Sequence, residues 1–225
     1  MCDELQNIIL LSYPIVQNTP RYGMAARGFE VRHDNCIVDG EGFNTFTVFL
    51  DNHFGTHIDC PNHFHADGKK VSDYTLEDLT FHHPQVLKVT LEDDELLKTG
   101  KIAGKVGQDT DLLIFWSGWG DFRNDDKYSM SNPGVDTEVA EYLHENFPNV
   151  RAIGIDFISI SSEKHKEIGV AAHKAFMRAP NEILIIEDMN ITGEVAEKVA
   201  RGAQIAVLPI ICESVDSTPC QVVLL

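Results

Sequence analysis

The chain has 225 residues, enough for one domain with a full core and cramped for two that fold alone. Its 43% hydrophobic and 24% charged residues exclude a disordered tail, and the absence of any apolar run of about 18 residues argues against a membrane span. Asp and Glu outnumber Lys and Arg by 35 to 18, and the resulting charge of −17 disfavours nucleic acid and anionic lipid as partners.

The acidic start Met1-Cys2-Asp3-Glu4 precedes only a short apolar stretch, unlike a secretory leader, so a cytoplasmic protein is expected. Apolar and β-branched runs then predict strands at Ile8 to Tyr13, Thr45 to Leu50, Gln85 to Thr90, Leu112 to Trp116 and Ala152 to Ile155. Further strands are expected at Ile183 to Ile186, Ile205 to Ile211 and Gln221 to Leu225. Helical patterns fall at Leu91 to Lys98 before Gly100, at Asp136 to Phe147, and at Glu194 to Arg201 before Gly202. No repeat or linker interrupts them. The expectation is a single α/β domain over residues 1–225, a mixed β-sheet core with flanking helices. The five cysteines (Cys2, Cys36, Cys60, Cys212, Cys220) are scattered, which suits reduced thiols better than a disulfide framework.

Ten histidines in 225 residues predict fewer than one in a 13-residue window, yet His53, His57, His63 and His65 share one. With Asp59 among them, they form a usual ligand set for zinc, manganese or iron. An extended strand would separate the Cα atoms of His53 and His57 by about 13 Å, at about 3.3 Å per residue. The backbone must therefore curl, which Gly55 permits, and Pro61 bars a regular helix from running on through the site. A bent segment aims His53, His57 and Asp59 at one ion and keeps His63 close. Any one of these side chains alone reads as a solvated loop residue; the joint pattern reads as a metal site. A structural zinc would favour four cysteine-rich ligands, whereas two histidines and a carboxylate leave open positions for water. Cys60, beside Pro61, reads as packing rather than as a nucleophile.

The stretch His53-Phe-Gly55-Thr56-His57-Ile-Asp59-Cys-Pro61-Asn-His63 resembles the signature of the cyclase family of metal-dependent hydrolases, which includes bacterial kynurenine formamidases and isatin hydrolases. Leu11-Ser12-Tyr13-Pro14 with Thr19-Pro20-Arg21-Tyr22-Gly23, the strand running to Gly118-Trp119, Ile153-Gly154-Ile155-Asp156, and Thr218-Pro219-Cys220-Gln221-Val222-Val223 resemble further family segments in the right order. The resemblance implies the family's swivelling β/β/α fold and one or two divalent ions, Zn(2+) or Mn(2+). By resemblance His53 and His57 ligate the first ion, Asp59 bridges both, and His173 and Glu187 serve the second, although the stretch between those two is longer than the family pattern. It also implies His63 as proton donor and acceptor, and a homodimer in which an N-terminal aromatic closes the neighbour's site.

The implied reaction is hydrolysis of an amide, lactam or ester by metal-activated water, with an aryl formamide such as N-formylkynurenine as leading substrate. Tyr22 and Trp119 are the expected aromatic contacts to substrate; Trp116, within an apolar run, fits the core better. Two other readings stay open. His53, His57 and Asp59 also satisfy the two-His-one-carboxylate rule of non-haem iron oxygenases, and a degenerate relative would bind metal without catalysis.

Overall fold

The computed structural model describes residues 8–24 and 28–225; Cys2 and the acidic start lie outside them. Nearly every apolar run named above becomes a strand of one mixed sheet. Its strands are β1 (Ile9–Leu10), β4 (His57–Asp59), β5 (Thr80–Phe81), β6 (Pro84–Lys88), β8 (Leu112–Trp116), β10 (Ala152–Ile155), β11 (Leu184–Glu187), β12 (Ile205–Pro209) and β13 (Ser217–Leu224). They are ordered β5-β12-β13-β4-β11-β10-β8-β6, with β1 beside the far end of β13. The β11-β10-β8-β6 half is parallel and the other half antiparallel. The edge strands β5 and β6 are separated in sequence by only His82 and His83, so the sheet curls into a nearly closed barrel.

Alternation along the strands divides the core. Leu113 and Phe115 of β8, Ile153 and Ile155 of β10, and Ile185 of β11 pack under α2 (Thr137–Asn146) and α3 (Lys166–Phe176). Leu112, Ile114, Leu184 and Ile186 point to the opposite side, with Ile58, Val207, Val222 and α4 (Gly193–Ala200). Both faces being covered, the parallel strands read as unbroken apolar runs. The α2 helix begins where Asp136 accepts a hydrogen bond from the Glu138 amide, and α4 where Thr192 accepts from Val195.

The expected helix from Leu91 to Lys98 is absent. Asp94 adopts a left-handed conformation (φ 60°), the Glu95 carboxylate accepts from the Glu92 amide, and Leu96–Leu97 forms β7 against β9 (Gly134–Val135). Local capping by acidic side chains competes with the helix and wins. Several elements had no clear sequence signal, among them α1 (Lys127–Met130), α3 and β2 (Phe29–Asn35), the last pairing with β3 (Thr45–Leu50) as a separate two-stranded ribbon. Among the described residues no helix is long and apolar enough to cross a membrane.

Candidate metal centre

Period-two geometry builds the site. Ile58 enters the core on one side of β4, so His57 and Asp59 face the other, toward α3. On β11, Ile185 packs on the α3 side, and Glu187, two residues on, shares that face. The antiparallel register pairs Glu187 with His57 and Ile185 with Asp59. From above, α3 buries Gly169, Ala172, His173 and Phe176, one helical stripe, which lowers His173 onto the two carboxylates. The chain curls from His53 to His57 through Gly55 at φ +65°, as the spacing required. Pro61 then opens the single 3₁₀ turn Pro61–His63, which returns His63 to the cluster.

Hydrogen bonding fixes the tautomers. His57 Nδ1 donates to the Gly55 carbonyl at 2.8 Å and His173 Nδ1 to the Gly169 carbonyl at 2.8 Å. A carbonyl can only accept, so Nδ1 carries the hydrogen and, in the neutral ring, each Nε2 presents a lone pair. His57 Nε2 lies 3.4 Å from Asp59 Oδ1 and 3.5 Å from Glu187 Oε2; His173 Nε2 lies 3.6 Å from Glu187 Oε1 and 3.9 Å from Asp59 Oδ2. Lone pairs facing carboxylates repel unless a proton or a cation lies between them. His57 Nε2 and Asp59 Oδ1 are both buried without a hydrogen-bond partner, and His53 Nδ1 sits 2.9 Å from Asp59 Oδ1 without the alignment of a hydrogen bond. Orphaned buried acceptors of this kind are costly, and a bound ion is the simplest way to satisfy them. In the set His53, His57, Asp59 and in the set Asp59, His173, Glu187 the donor atoms lie within 4.8 Å of one another. The residues present fit one or two divalent ions sharing Asp59.

Electrostatics agree with that fit. Burial would lower the pKa of His53, but the Asp59 charge and hydrogen bonding to Asp216 outweigh it and push the value up to about 10. His173 is likewise raised, against the pull of burial, by Glu187 and Asp59. Burial would raise the Asp59 carboxyl, yet the facing His57 and His53 hold it well below the usual carboxylate range. These are the shifts of a cluster that seeks positive charge.

A cavity of about 300 Å³ opens over these groups. Tyr22, Phe64, Ile158 and Val170 supply its less polar wall, while Ser161 and Lys166 add polar groups. Tyr22 lines the cavity of its own chain. Its hydroxyl is buried without a partner, and burial first, then Glu163 and Glu187, push its pKa up to about 12. Trp119 is elsewhere. The left-handed Gly118 (φ 83°) turns it back into the core, where it is 2% exposed and its indole N–H donates to the Leu91 carbonyl at 3.1 Å. Trp116 is also absent from the cavity wall. His65 leaves the cluster and hydrogen-bonds the Lys174 carbonyl. Cys60 is buried, and burial raises its thiol far above the range of a nucleophile.

Three supports escaped the sequence reading. Glu187 Oε1 accepts from Ser159 Oγ at 3.0 Å and from the Ile160 amide at 2.7 Å. Asp188, at φ 53°, receives Arg123 and Tyr128. Asp216 receives His53, His63 and Asn52. Asp188 and Asp216 are acidic residues beside strand ends, a signal too common in an acidic chain to stand out.

Comparison with known proteins agrees with this fold. A rice protein named cyclase-like protein 1 (Oryza sativa subsp. japonica) is 27% identical over 173 residues, 72% of this chain and 59% of the rice protein, so the chain spans less than two thirds of that relative's length. A kynurenine formamidase of Geobacillus thermodenitrificans is 29% identical over 182 residues, covering 78% of this chain and 77% of the relative. A crystal structure of an isatin hydrolase bound to the product analogue thioisatinate superimposes with a TM-score of 0.77 at 17% identity, over 97% of this chain and 92% of the other. The Cyclase profile matches residues 9–162, from β1 past the histidine cluster and through β10, and the chain belongs to the Cyclase family.

Proposed function

We propose that the chain is a metal-dependent hydrolase that cleaves the C–N bond of an aryl formamide of the N-formylkynurenine type, or of a related lactam or ester. The observation that carries this reading is the pair of buried, partnerless acceptors, His57 Nε2 and Asp59 Oδ1, at the centre of five ligand-type side chains. The formamidase among its relatives and the isatin hydrolase of like fold support the substrate class.

His53, His57 and Asp59 would hold one ion, and Asp59, His173 and Glu187 a second, either Zn(2+) or Mn(2+). A divalent ion bound there supplies a water that ionises near neutral pH and polarises the substrate carbonyl. The remaining work belongs to the chain. Tyr22, Phe64, Ile158 and Val170 take a planar aryl group and keep bulk water from it. His63, lining the same cavity, takes the proton from the attacking water and returns it to the leaving amine. The carbonyl carbon gains a hydroxyl and the amine a hydrogen, so the reaction needs no further reactant.

A facial triad for oxygen activation needs one carboxylate; the second carboxylate and third histidine here support hydrolysis instead. A proton-transfer residue inside the cavity supports catalysis over mere binding. The test is metal analysis of the purified protein with an assay of N-formylkynurenine under nitrogen. Hydrolysis without oxygen is expected, and His57→Ala should lose bound metal and activity together. Full metal occupancy in that variant would end the ligand assignment.

The whole chain reads as one hydrolase domain, and we place it in the cytoplasm as a homodimer. Among the described residues Cys36, Cys60, Cys212 and Cys220 are free thiols, which supports a reducing compartment. The β2–β3 ribbon supports the dimer. Val31 pairs with Val48 and His33 with Phe46 on one face, and Val31, Phe46 and Val48 are about half exposed. A two-stranded ribbon with an open apolar face is marginal alone, and a second copy would cover it.

A further inference from the structure

We infer that Asp216 is a positioning residue that sets the tautomers of His53 and His63 through one carboxylate oxygen, coupling the metal ligand to the proton carrier. This rests on the roles proposed for those two histidines. Asp216 Oδ2 lies 2.7 Å from His63 Nδ1 and 3.3 Å from His53 Nε2. Its other oxygen accepts from Asn52 Nδ2 at 2.8 Å, and its backbone carbonyl accepts from the Cys60 amide at 2.8 Å. The carboxylate is therefore held on three sides. It immediately precedes β13, whose first residue, Ser217, pairs with Asp59.

The chemistry follows from what a carboxylate can do. It only accepts, so the ring nitrogens facing it must carry hydrogen. His63 then keeps its hydrogen on Nδ1 and exchanges protons at Nε2. With an ion bound at Asp59, His53 would keep its hydrogen on Nε2, leaving the Nδ1 lone pair, which lies on the Asp59 side, for that ion. With the carboxylate gone, both rings are free to take the other tautomer, which blocks the ligand atom of one and the exchanging atom of the other. The two rings lie 4.1 Å apart at 38°, so a turn of either also disturbs its neighbour.

His53, His63 and Asp216 also form a ligand-type triad of their own, which a third ion would occupy. A shared oxygen that receives two N–H groups favours the positioning role instead, and metal stoichiometry separates the two.

The experiment compares the metal-loaded wild type with Asp216→Asn, Asp216→Glu and the milder Asn52→Ala. Imidazole nitrogens are observed by long-range ¹H–¹⁵N correlation, and kcat and KM are measured on N-formylkynurenine. In the wild type His63 should show the Nδ1–H tautomer. Asp216→Asn should shift it toward Nε2–H, lower kcat about 10–100-fold with KM little changed, and speed metal loss to a chelator. Asn52→Ala should show the same signs more weakly, and Asp216→Glu should recover part of the rate. An unchanged His63 tautomer in Asp216→Asn with kcat within twofold of wild type would overturn the proposal, as would loss of one whole ion per chain with the tautomer kept. If the wild type itself hydrolyses no amide, the functional reading fails, while the tautomer measurement still decides the role of Asp216.

Discussion

Arg123 grips Asp188 through two hydrogen bonds, Nε to Oδ1 at 2.9 Å and Nη2 to Oδ2 at 2.7 Å, one residue after Glu187. The fork sits over the ring of Tyr13, with the guanidinium carbon 4.0 Å from the centroid, and Tyr128 donates to the same carboxylate at 2.5 Å. Asp188 is held left-handed at φ 53° there, which turns the chain sharply after β11 and leaves Glu187 facing the cluster. Removing one partner of such a buried pair leaves a charge stranded. Arg123→Met should destabilise the protein by about 3–5 kcal/mol in chemical denaturation. The double variant Arg123→Met/Asp188→Asn should recover part of that loss, since asparagine tolerates the left-handed backbone. If the double variant is no more stable than the single one, the stranded charge is not the cause.

Metal uptake should release protons. Without an ion, the folded-state pKa of His53 is pushed up to about 10, from 6.5, by Asp59 and Asp216 against burial. A value raised on folding contributes stability that is full below pH 6.5 and fades as pH rises through about 10. The chelated protein should therefore lose thermal stability across that window. A ligating histidine must be deprotonated, so loading at pH 7 should displace at least about one proton per chain, that of His53. Titration calorimetry in two buffers of different ionisation enthalpy reads this number, and equal heats in both would refute it.

His63→Asn separates binding from chemistry. Metal content should stay intact while kcat on a formamide falls about 10²–10⁴-fold, the usual worth of general acid–base catalysis. A nitrophenyl ester, whose leaving group needs little protonation, should lose less. Equal losses on both substrates would leave His63 a positioning role only; loss of metal would make it a ligand.

The apolar face of the β2–β3 ribbon gives the dimer a direct test. Val48→Glu puts a charge on a side chain already 54% exposed, so the fold should change by less than about 0.5 kcal/mol. Light scattering at micromolar concentration should then report a monomer, against a dimer for the wild type. A wild type that is monomeric at that concentration counts against the assembly.

Much of this fold can be read from the residues. Leu112–Trp116 and Ala152–Ile155 are unbroken apolar runs because both faces of the parallel strands are covered, and such runs have sharp edges. Leu91 to Lys98 misled because Gly100 has the look of a helix C-terminal cap, while the acidic residues of the segment fold a turn. The His53–His63 cluster was legible because its ligands are close in sequence. Asp216 was not, since its partners lie in another part of the chain and only strand pairing joins them. Trp119 shows the reverse: a tryptophan between glycines looks like a pocket wall, yet Gly118 turns it inward to a carbonyl that the sequence cannot reveal.

The placement of β4 has a consequence for how the protein is made. Its three residues hold two of the metal-type side chains, yet both its sheet neighbours, β11 and β13, are synthesised long after it. Until β13 docks, His57 and Asp59 sit on a short segment with one side unpaired, and Asp216 has not reached the histidines. A growing chain can thus complete the α2 and α3 layer and still lack a finished centre. The cluster is complete only once β13 lies beside β4, and the same strand, zipped against Ile9 and Leu10, ties β1 to the barrel.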